Sequence, residues 1–191
     1  MNTALLLLEI QNDYFPQGKM PLERSLEATQ KAQAVLHAYR DKKQFVIHVQ
    51  HISTRPDASN LLPCTKGAEF HPQVQPTKHE LIIKKHYPNS FKDTTLLNTL
   101  IKNQINHLLI CGMTTHLTID ATVRAAYDLG FSCSVLSDAC ATLDLQFEQE
   151  IISAQQVQHA FLAALQPTYA TVMNTAQCLQ RMGAKMQVAT A

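Results

Sequence analysis

Short apolar runs alternate with helical patterns along most of the chain, and this alternation constrains the fold more than any other feature. Runs of this length are typical of strands buried on both faces, and helices between them favour parallel strands joined by right-handed crossovers. The sequence therefore predicts an α/β fold with three α/β/α layers around a mostly parallel, six-stranded sheet. The six apolar runs lie at residues 4–8, 45–49, 81–83, 107–111, 132–136 and 170–173.

Four segments between these runs have apolar residues at helical spacing. They are residues 26–39, 96–101, 117–128 and a longer stretch at 148–165, and Pro167 marks the end of the last. Proline cannot continue a helix, because it lacks a backbone N–H and clashes with the preceding turn. In a doubly wound sheet, ligands bind at the carboxyl ends of the strands, so we expect the functional side chains there.

The segment at 52–79 has no clear period and contains Pro56, Pro63 and Pro72. Structureless loops of this length inside a compact domain are usually functional. We therefore interpret this segment as a lid or as a contact between the subunits of a dimer.

Size and charge limit the classes of protein. The chain has 191 residues, 46% of them hydrophobic, which suits one domain spanning residues 1–191. Sixteen basic and fifteen acidic residues give a formal charge of +1, without a basic run that would neutralise phosphates. We expect no nucleic-acid partner.

The amino-terminal segment and the cysteines both indicate a cytoplasmic protein that does not contact a membrane. The first fifteen residues have only a short apolar run, no basic segment, and an acidic residue at Glu9. The five cysteines are odd in number and scattered, so we expect free thiols. No glycine pattern predicts a phosphate-binding loop.

Two of the predicted strand ends carry charged residues. Glu9 follows the first strand between Leu8 and Ile10, where an apolar setting suits a carboxylate to proton transfer, although a purely structural role is as consistent with the segment. Lys84 and Lys85 follow the third strand, and because neighbours in a strand point to opposite faces, only one can reach the same crevice. A solvated lysine is the competing interpretation.

The fourth strand runs through Gly112 directly into a helical pattern. Glycine permits a tight turn, and the backbone N–H groups at the start of a helix stabilise an anion. Thr118, in the first turn of that helix, is a candidate nucleophile; alternatively, its hydroxyl only fills space and bonds to the backbone.

Six segments together resemble the isochorismatase-like cysteine hydrolases, the superfamily of nicotinamidases, N-carbamoyl amide hydrolases and isochorismatases. The resemblance extends over nearly the whole chain and implies the Rossmann-like fold of that superfamily. The segments are EIQNDYFPQGKMPLE, VIHVQHIS, KHYPNSFKDTTL, CGMTTHLTIDATVRAAYDLGF, SDACAT and AQQVQHAFLAAL.

The resemblance implies an Asp, a Lys and a nucleophilic Cys as the catalytic residues. It assigns the Lys to Lys85 and places the other two at Glu9 and Thr118, so both the Asp and the Cys are replaced. It further implies an oxyanion hole formed by the backbone N–H groups of Thr114 and Thr118, and a cis peptide bond between Met113 and Thr114.

The replacement of Cys by Thr leaves three hypotheses open. A thiol with a pKa of about 8.5 ionises readily, whereas a threonine hydroxyl needs strong base assistance. First, Glu9 is the general base for Thr118 or for water in a hydrolase. Second, as in isochorismatases, the carboxylic acid protonates a vinyl ether. Third, the chain is an inactive homologue that binds a small molecule or serves as a scaffold.

The remaining expectations concern other candidate groups. The Asp-x-His metal motif of nicotinamidases is not reproduced, so we expect no metal and no cofactor. Cys111 and Cys64 are weaker candidates for a substitute nucleophile, and His116 is as consistent with a structural or subunit contact as with catalysis.

Three aromatic residues near the strand ends are candidates for binding substrate: Phe15, Tyr87 and Phe91. Phe15 is the strongest of them because it follows Glu9 closely. The resemblance also implies a homo-oligomer, most often a dimer, that acts on a small-molecule substrate.

Overall fold

The predicted three-layer α/β/α architecture is confirmed by the structure, a computed structural model that describes residues 2–189, with side chains described through residue 183. The strands are β1 (Thr3–Leu8), β2 (Phe45–His51), β3 (Leu81–Lys85), β4 (His107–Met113), β5 (Ser132–Ala141), β6 (Leu145–Phe147), β7 (Glu150–Ile152) and β8 (Thr171–Met173). The α-helices are α1 (Ser25–Asp41), α2 (Leu96–Lys102), α3 (Asp120–Asp128), α4 (Ala154–Leu165) and α5 (Thr175–Ala189).

Six strands form the central sheet in the order β3-β2-β1-β4-β5-β8. Every pairing in it is parallel. The chain moves outward from β1 to β3 and then returns to add β4 on the other side, so the strand order reverses beside β1. A ligand site is expected at the carboxyl ends of β1 and β4, the position of this reversal.

Alternate side chains of β1 enter two separate hydrophobic cores. Leu5 and Leu7 pack with α1 and α5 on one face, whereas Leu6 and Leu8 pack with α2, α3 and α4 on the other. Because both faces of β1 are buried, its sequence is an unbroken run of leucines rather than an alternating pattern.

The prediction of a helix over residues 148–165 is wrong at its amino-terminal end. Residues 145–152 form an antiparallel hairpin of β6 and β7, and α4 begins only at Ala154. Ser153 caps this helix: its side chain accepts a hydrogen bond from the N–H of Gln156, and the Gln156 side-chain oxygen accepts one from the Ser153 N–H. The helix ends at Leu165, two residues before Pro167, as predicted.

The segment at 52–79 is ordered by short helices and by contacts with the end of β1. Its two 3₁₀ helices span Lys66–Ala68 and Pro72–Val74. The Gln11 side-chain amide donates hydrogen bonds to the carbonyls of His51 (2.9 Å) and Ala68 (2.7 Å). The segment is therefore fastened across the carboxyl edge of the sheet. No helix within residues 2–189 is long and apolar enough to cross a membrane.

Candidate active site

Glu9 is the first residue after β1 and is only 2% exposed. Its backbone is left-handed, with φ of 51°, a conformation that costs a non-glycine residue about 1 kcal/mol or more. The Glu9 N–H donates to the carbonyl of Val49 at 2.9 Å, which ties this turn to β2. The side chain is thereby directed into the crevice where the strand order reverses.

Both carboxylate oxygens of Glu9 accept hydrogen bonds. Oε1 accepts from the Thr118 hydroxyl at 2.6 Å and forms an ion pair with Lys85 Nζ. Oε2 accepts from the Tyr14 hydroxyl at 2.9 Å. Nδ1 of His51 lies 3.7 Å from Oε1. The structure therefore brings together Glu9, Lys85 and Thr118, the three residues predicted to be catalytic.

Lys85 is completely buried behind this carboxylate. Its ammonium group donates to the carbonyls of Tyr87 (2.8 Å) and Pro88 (2.7 Å), and it lies 3.3 Å from Thr118 Oγ1. Burial lowers the pKa of Lys85, and the Glu9 carboxylate opposes that effect. Lys84 points to the opposite, exposed face, as strand alternation predicts.

Gly112 allows β4 to pass close to β1 just before the reactive turn. Its φ is +128°, and a Cβ at this position would overlap the carbonyl oxygen of Leu8. Met113 and Thr114 are joined by a cis peptide bond, as expected. Residues Thr115–Ile119 then form a π-helical turn that leads into α3 and carries Thr118 toward Glu9.

The π-helical turn is held from behind by the side chain of Gln158 in α4. The Thr115 hydroxyl donates to Gln158 Oε1 at 2.5 Å, and the Gln158 amide donates to the carbonyls of Ser137 (3.1 Å) and Cys140 (3.2 Å). One side chain thus links α4, the end of β5 and the turn that positions Thr118.

A cavity of about 380 Å³ opens over these groups. Its floor includes Thr114 and Thr118, the residues predicted to supply the oxyanion hole, and that role stays a prediction. The segment at 52–79, interpreted as a lid or a subunit contact, contributes one wall, because residues 53–61 except Pro56 line the cavity. Both roles stay predictions. Other residues on the wall include Glu9, Tyr14, His51, His86, Pro88 and Leu117.

The three aromatic residues proposed to bind substrate are not among those that line this cavity. Phe15 is buried and stacks on the ring of His71, with the ring centroids 3.9 Å apart. Phe91 packs against Phe131 in the core beneath α2 and α3. Tyr87 is exposed, and it is its backbone carbonyl that reaches the site by accepting from Lys85.

The alternative candidates lie outside the reactive cluster. Cys111 is fully buried, and desolvation raises its pKa well above the usual value, so it is a poor nucleophile. Cys64 is exposed and does not line the cavity. His116 bonds through Nδ1 to the Thr142 hydroxyl at 2.6 Å, which gives it a structural partner. No group of three or more His, Cys, Asp or Glu side chains among those described is arranged to hold a metal ion.

Sequence reasoning missed two residues of this site, Tyr14 and His51. Tyr14 lies in the 3₁₀ turn Asn12–Tyr14, which folds its ring back toward the end of β1, and no local period signals that return. His51 ends β2, next to β1, and its buried Nδ1 atom has no hydrogen-bond partner among the residues that the structure describes. The position of His51 at the end of a predicted strand is the feature of the sequence that could have marked it as a site residue.

Comparison with known proteins identifies the family. Residues 3–177 match the profile described as the isochorismatase domain. YddQ of Bacillus subtilis (strain 168), an uncharacterized isochorismatase family protein, is 47% identical over 175 residues, which are 92% of this chain and 97% of YddQ.

More distant and structural relatives agree with this match. Streptothricin hydrolase of Streptomyces noursei is 28% identical over 148 residues, covering 78% of this chain and 52% of that protein. The crystal structure of a proposed isochorismatase hydrolase from Oleispira antarctica superposes with a TM-score of 0.90 at 41% identity, covering 94% of this chain and 96% of the other. Because the family profile covers most of its length, this chain belongs to the isochorismatase family.

Proposed function

We propose that this protein hydrolyses an amide or carbamoyl C–N bond of a small molecule, with Thr118 as the nucleophile and Glu9 as its general base. The observation that carries the proposal is the 2.6 Å hydrogen bond from the Thr118 hydroxyl to Glu9 Oε1 at the floor of a cavity. This distance is within the range for direct proton transfer between a nucleophile and its base. The hydrolase relatives of the family support the same reaction class.

The reaction proceeds in two halves. As Thr118 Oγ1 bonds to the acyl carbon, its proton passes to Glu9 Oε1. Glu9 then returns this proton to the departing nitrogen as the C–N bond breaks, leaving an ester on Thr118. Water attacks the ester, gives one proton to Glu9 and forms the acid product, and Glu9 restores the Thr118 hydroxyl.

Lys85 and the π-helical turn stabilise the charges that form in these steps. The ammonium of Lys85, 3.3 Å from Thr118 Oγ1, favours negative charge on that oxygen as its proton leaves. We assign the oxyanion hole to the backbone N–H groups of Thr114 and Thr118, and the presence of both residues in the cavity lining supports this part of the proposal. Such electrostatic contributions are usually the largest in acyl transfer.

The surroundings of Glu9 favour a base over an acid. Tyr14, Thr118 and Lys85 all donate to its two oxygens, so both oxygens of Glu9 act as hydrogen-bond acceptors in this arrangement. Protonation of a vinyl ether, the alternative chemistry, requires a carboxylic acid with a proton to give. The geometry therefore supports hydrolysis of a C–N bond over vinyl-ether cleavage.

The test is turnover of a panel of primary amides, N-carbamoyl compounds and isochorismate by the wild-type protein and by matched variants. We expect wild-type turnover of an amide or carbamoyl compound, and loss of roughly 10³-fold or more in Glu9→Gln and Thr118→Ala. Thr118→Ser keeps the hydroxyl and serves as the control, with activity within about tenfold of wild type. Mass spectrometry should detect the ester on the peptide that contains Thr118.

Other outcomes separate the competing hypotheses. Full activity in Thr118→Ala would show that Glu9 acts on water instead of on Thr118. Turnover of isochorismate alone would indicate the vinyl-ether reaction. Amide turnover only after Thr118→Cys together with Glu9→Asp would show that the native pair binds its ligand without covalent chemistry.

A further inference from the structure

His51 is a residue of the active site whose buried ring nitrogen has no role in the reaction described above. It ends β2 and is the register partner of Lys85 in β3. Paired residues on neighbouring strands have their side chains on the same face of the sheet, so both side chains lie beside Glu9. Nδ1 of His51 lies 3.7 Å from Glu9 Oε1, and the residue lines the cavity. The ring therefore faces the place where a substrate would react.

The backbone of His51 is fixed by the side chain of Gln11. The His51 N–H donates to Gln11 Oε1 at 2.7 Å, and the Gln11 amide donates to the His51 carbonyl at 2.9 Å. The side chain of His51 is only 16% exposed. Because the backbone is held on both sides and the ring is mostly buried, the direction of Nδ1 is set before a ligand binds.

Nδ1 of His51 is buried and has no hydrogen-bond partner among the residues whose side chains the structure describes. At 3.7 Å, Glu9 Oε1 is too far away for a hydrogen bond. That oxygen already accepts from Thr118 and pairs with Lys85. Buried polar atoms in folded proteins are nearly always paired, and the exceptions often belong to functional sites. Nδ1 is therefore free to bond to a group of the ligand.

The surroundings of the ring make Nδ1 an acceptor. Burial lowers the pKa of His51, and the charge of Glu9 only partly opposes this, while Lys85 and His86 lower it further, so the ring is neutral at neutral pH. A neutral imidazole carries its proton on one nitrogen. A proton on Nδ1 would create a buried, unpaired N–H group, whereas Nε2 is not among the buried described atoms that lack a partner. The proton therefore lies on Nε2.

An acceptor beside Glu9 Oε1 fits the departing nitrogen of an amide. In the proposed reaction this nitrogen takes its proton from Glu9 Oε1 as the C–N bond breaks, so it must lie within hydrogen-bond reach of that oxygen. A nitrogen at that place is also beside His51 Nδ1, which is 3.7 Å from the same oxygen. When one of its hydrogens points to Nδ1, its lone pair is free to face Glu9. The leaving oxygen of an ester carries no hydrogen and cannot make this bond.

We propose that His51 Nδ1 accepts a hydrogen bond from the N–H of the departing nitrogen, so that the site selects amides and carbamoyl compounds with an N–H over the corresponding esters. The inference rests on the proposed hydrolysis of a C–N bond and adds a recognition group to it. His51 gains and loses no proton in the step, because Glu9 supplies the proton and Nδ1 orients the nitrogen that receives it. An ester leaves the buried Nδ1 unpaired, which is the source of the selectivity.

The first test determines the tautomer of His51 and needs no turnover. In ¹⁵N-labelled protein at neutral pH, long-range ¹⁵N–¹H correlation spectra should show His51 Nδ1 with the chemical shift of an unprotonated nitrogen. His86 is an internal reference, because its Nδ1 donates to the Ile52 carbonyl at 2.7 Å and must carry a proton. A protonated Nδ1 on His51 would overturn the inference whatever reaction the protein catalyses.

The second test uses acetamide and methyl acetate as probes of binding to the Thr118→Ala variant, which lacks the hydroxyl that would form an ester. The two molecules share one acyl group, but only acetamide carries an N–H. Acetamide should shift the His51 Nδ1 resonance in a saturable manner, and methyl acetate should not. An equal shift from both probes, or no shift from acetamide, would contradict recognition of the N–H.

Kinetics tests the same contact during the reaction, with the amide that the wild type hydrolyses fastest and the methyl ester of the same acid. His51→Leu should lower kcat/KM about tenfold or more for the amide and less than about threefold for the ester. His51→Asn restores an acceptor near the position of Nδ1 and should recover part of the amide activity. His37→Leu, on the exposed face of α1, is the matched control and should change neither value. Equal losses for amide and ester would indicate a structural role and refute the inference.

The outcomes separate this inference from the proposed function. If no amide were turned over but acetamide still bound at His51 Nδ1, the hydrolysis would be refuted and the recognition of an N–H would stand. If amide turnover depended on Glu9 and Thr118 but not on His51, the hydrolysis would stand and this inference would be refuted.

Discussion

The two carboxylate oxygens of Glu9 accept hydrogen bonds from different donors, and these contacts fix the orientation of the carboxylate toward Thr118. Tyr14 holds Oε2 at 2.9 Å, which leaves Oε1 for Thr118 and Lys85. Burial, followed by the charge of Glu9, raises the pKa of Tyr14 well above its usual value, so the phenol remains a donor at neutral pH. Tyr14 is therefore a positioning residue for the base.

Removal of the Tyr14 hydroxyl should weaken catalysis without unfolding the protein. Tyr14→Phe keeps the buried ring and deletes one hydrogen bond to a charged group, a bond worth about 1.5–3 kcal/mol. We expect kcat to fall about 10- to 100-fold, with KM nearly unchanged. Steady-state kinetics and thermal melting together check this, and a loss of stability in proportion to the loss of kcat would contradict a positioning role.

A side chain at Gly112 should disrupt the site through the backbone. In Gly112→Ala the new methyl group overlaps the Leu8 carbonyl, next to Glu9, and the φ of +128° becomes strained. The free energy of unfolding should fall by about 3 kcal/mol or more. Gly130→Ala is the control. Its φ is also positive, at +88°, but apart from its chain neighbours no described atom lies within 4 Å of a Cβ built there, so the substitution should cost only about 1 kcal/mol. Equal losses in urea denaturation would refute the steric explanation.

At the level of elements, sequence periodicity located the sheet but misplaced one boundary. Apolar runs gave the strands because burial on both faces removes polar residues from them. The helix predicted over residues 148–165 includes Ile151 and Ile152, yet both lie on an exposed hairpin. The capping box of Ser153 and Gln156 marked the true start of α4 and should have outweighed hydrophobicity.

Asp13 fastens the wall of the cavity to the end of β1. Its buried carboxylate accepts from the N–H groups of Leu61 (2.6 Å) and Lys19 (3.2 Å). Asp13→Ala should leave both donors unsatisfied, lower the free energy of unfolding by about 1–3 kcal/mol and raise KM, because residues 53–61 lose their anchor. Faster hydrogen exchange at Leu61 would report the release.

A control for that variant exists in the same wall. Asp57 pairs with Arg55 on the exposed side of the segment. Asp57→Ala should therefore leave stability and hydrogen exchange at Leu61 close to wild type, because exposed ion pairs contribute little. If both variants released the segment equally, the anchor would not be Asp13.

Across the whole molecule, the fold could be predicted from the sequence far better than the cavity. The clustering of Glu9, Lys85 and Thr118 was predictable because parallel strands align their carboxyl ends, a rule that depends only on topology. Their catalytic roles stay a prediction. Phe15, Tyr87 and Phe91 are not among the residues that line the cavity, because turns after strand ends set the direction of each ring and nearness in sequence does not. Tyr14 was missed for the same reason. The role of Phe15, Tyr87 and Phe91 in binding substrate stays a prediction.

Stability should decline in mild acid because of a buried histidine. Desolvation of His48 outweighs the attraction of Glu80, 3.0 Å away, and lowers its pKa from 6.5 to about 4. The unfolded chain therefore binds a proton at His48 below pH 6.5, whereas the folded chain binds it only near pH 4. Stability is full above pH 6.5 and falls by up to about 3 kcal/mol as the pH drops to 4.

Comparison with His48→Gln isolates this contribution. The free energy of unfolding is measured by urea denaturation from about pH 7.5 to about pH 4.5, a range that includes the ordinary pKa of histidine. It should fall less in the variant than in the wild type. Glu80 ionises below this pH range: burial raises its pKa, but hydrogen bonds from Arg40 and the Thr77 N–H, with the charges of His48 and Arg40, lower it to about 2. In His48→Gln the hydrogen bonds from Arg40 and Thr77 remain. An unchanged pH dependence in the variant would assign the effect to other histidines.

The contact between Thr118 Oγ1 and Glu9 Oε1 also shapes how this sequence can diverge over generations. Shortening Glu9 to aspartate withdraws the carboxylate by about one bond, roughly 1.5 Å, while Lys85 stays buried and charged opposite a gap. Exchanging Thr118 alone alters the other side of the same 2.6 Å contact. Substitutions at the two positions should therefore be coupled. Related sequences should carry either Glu with Thr or Asp with Cys, and mixed pairs should be rare.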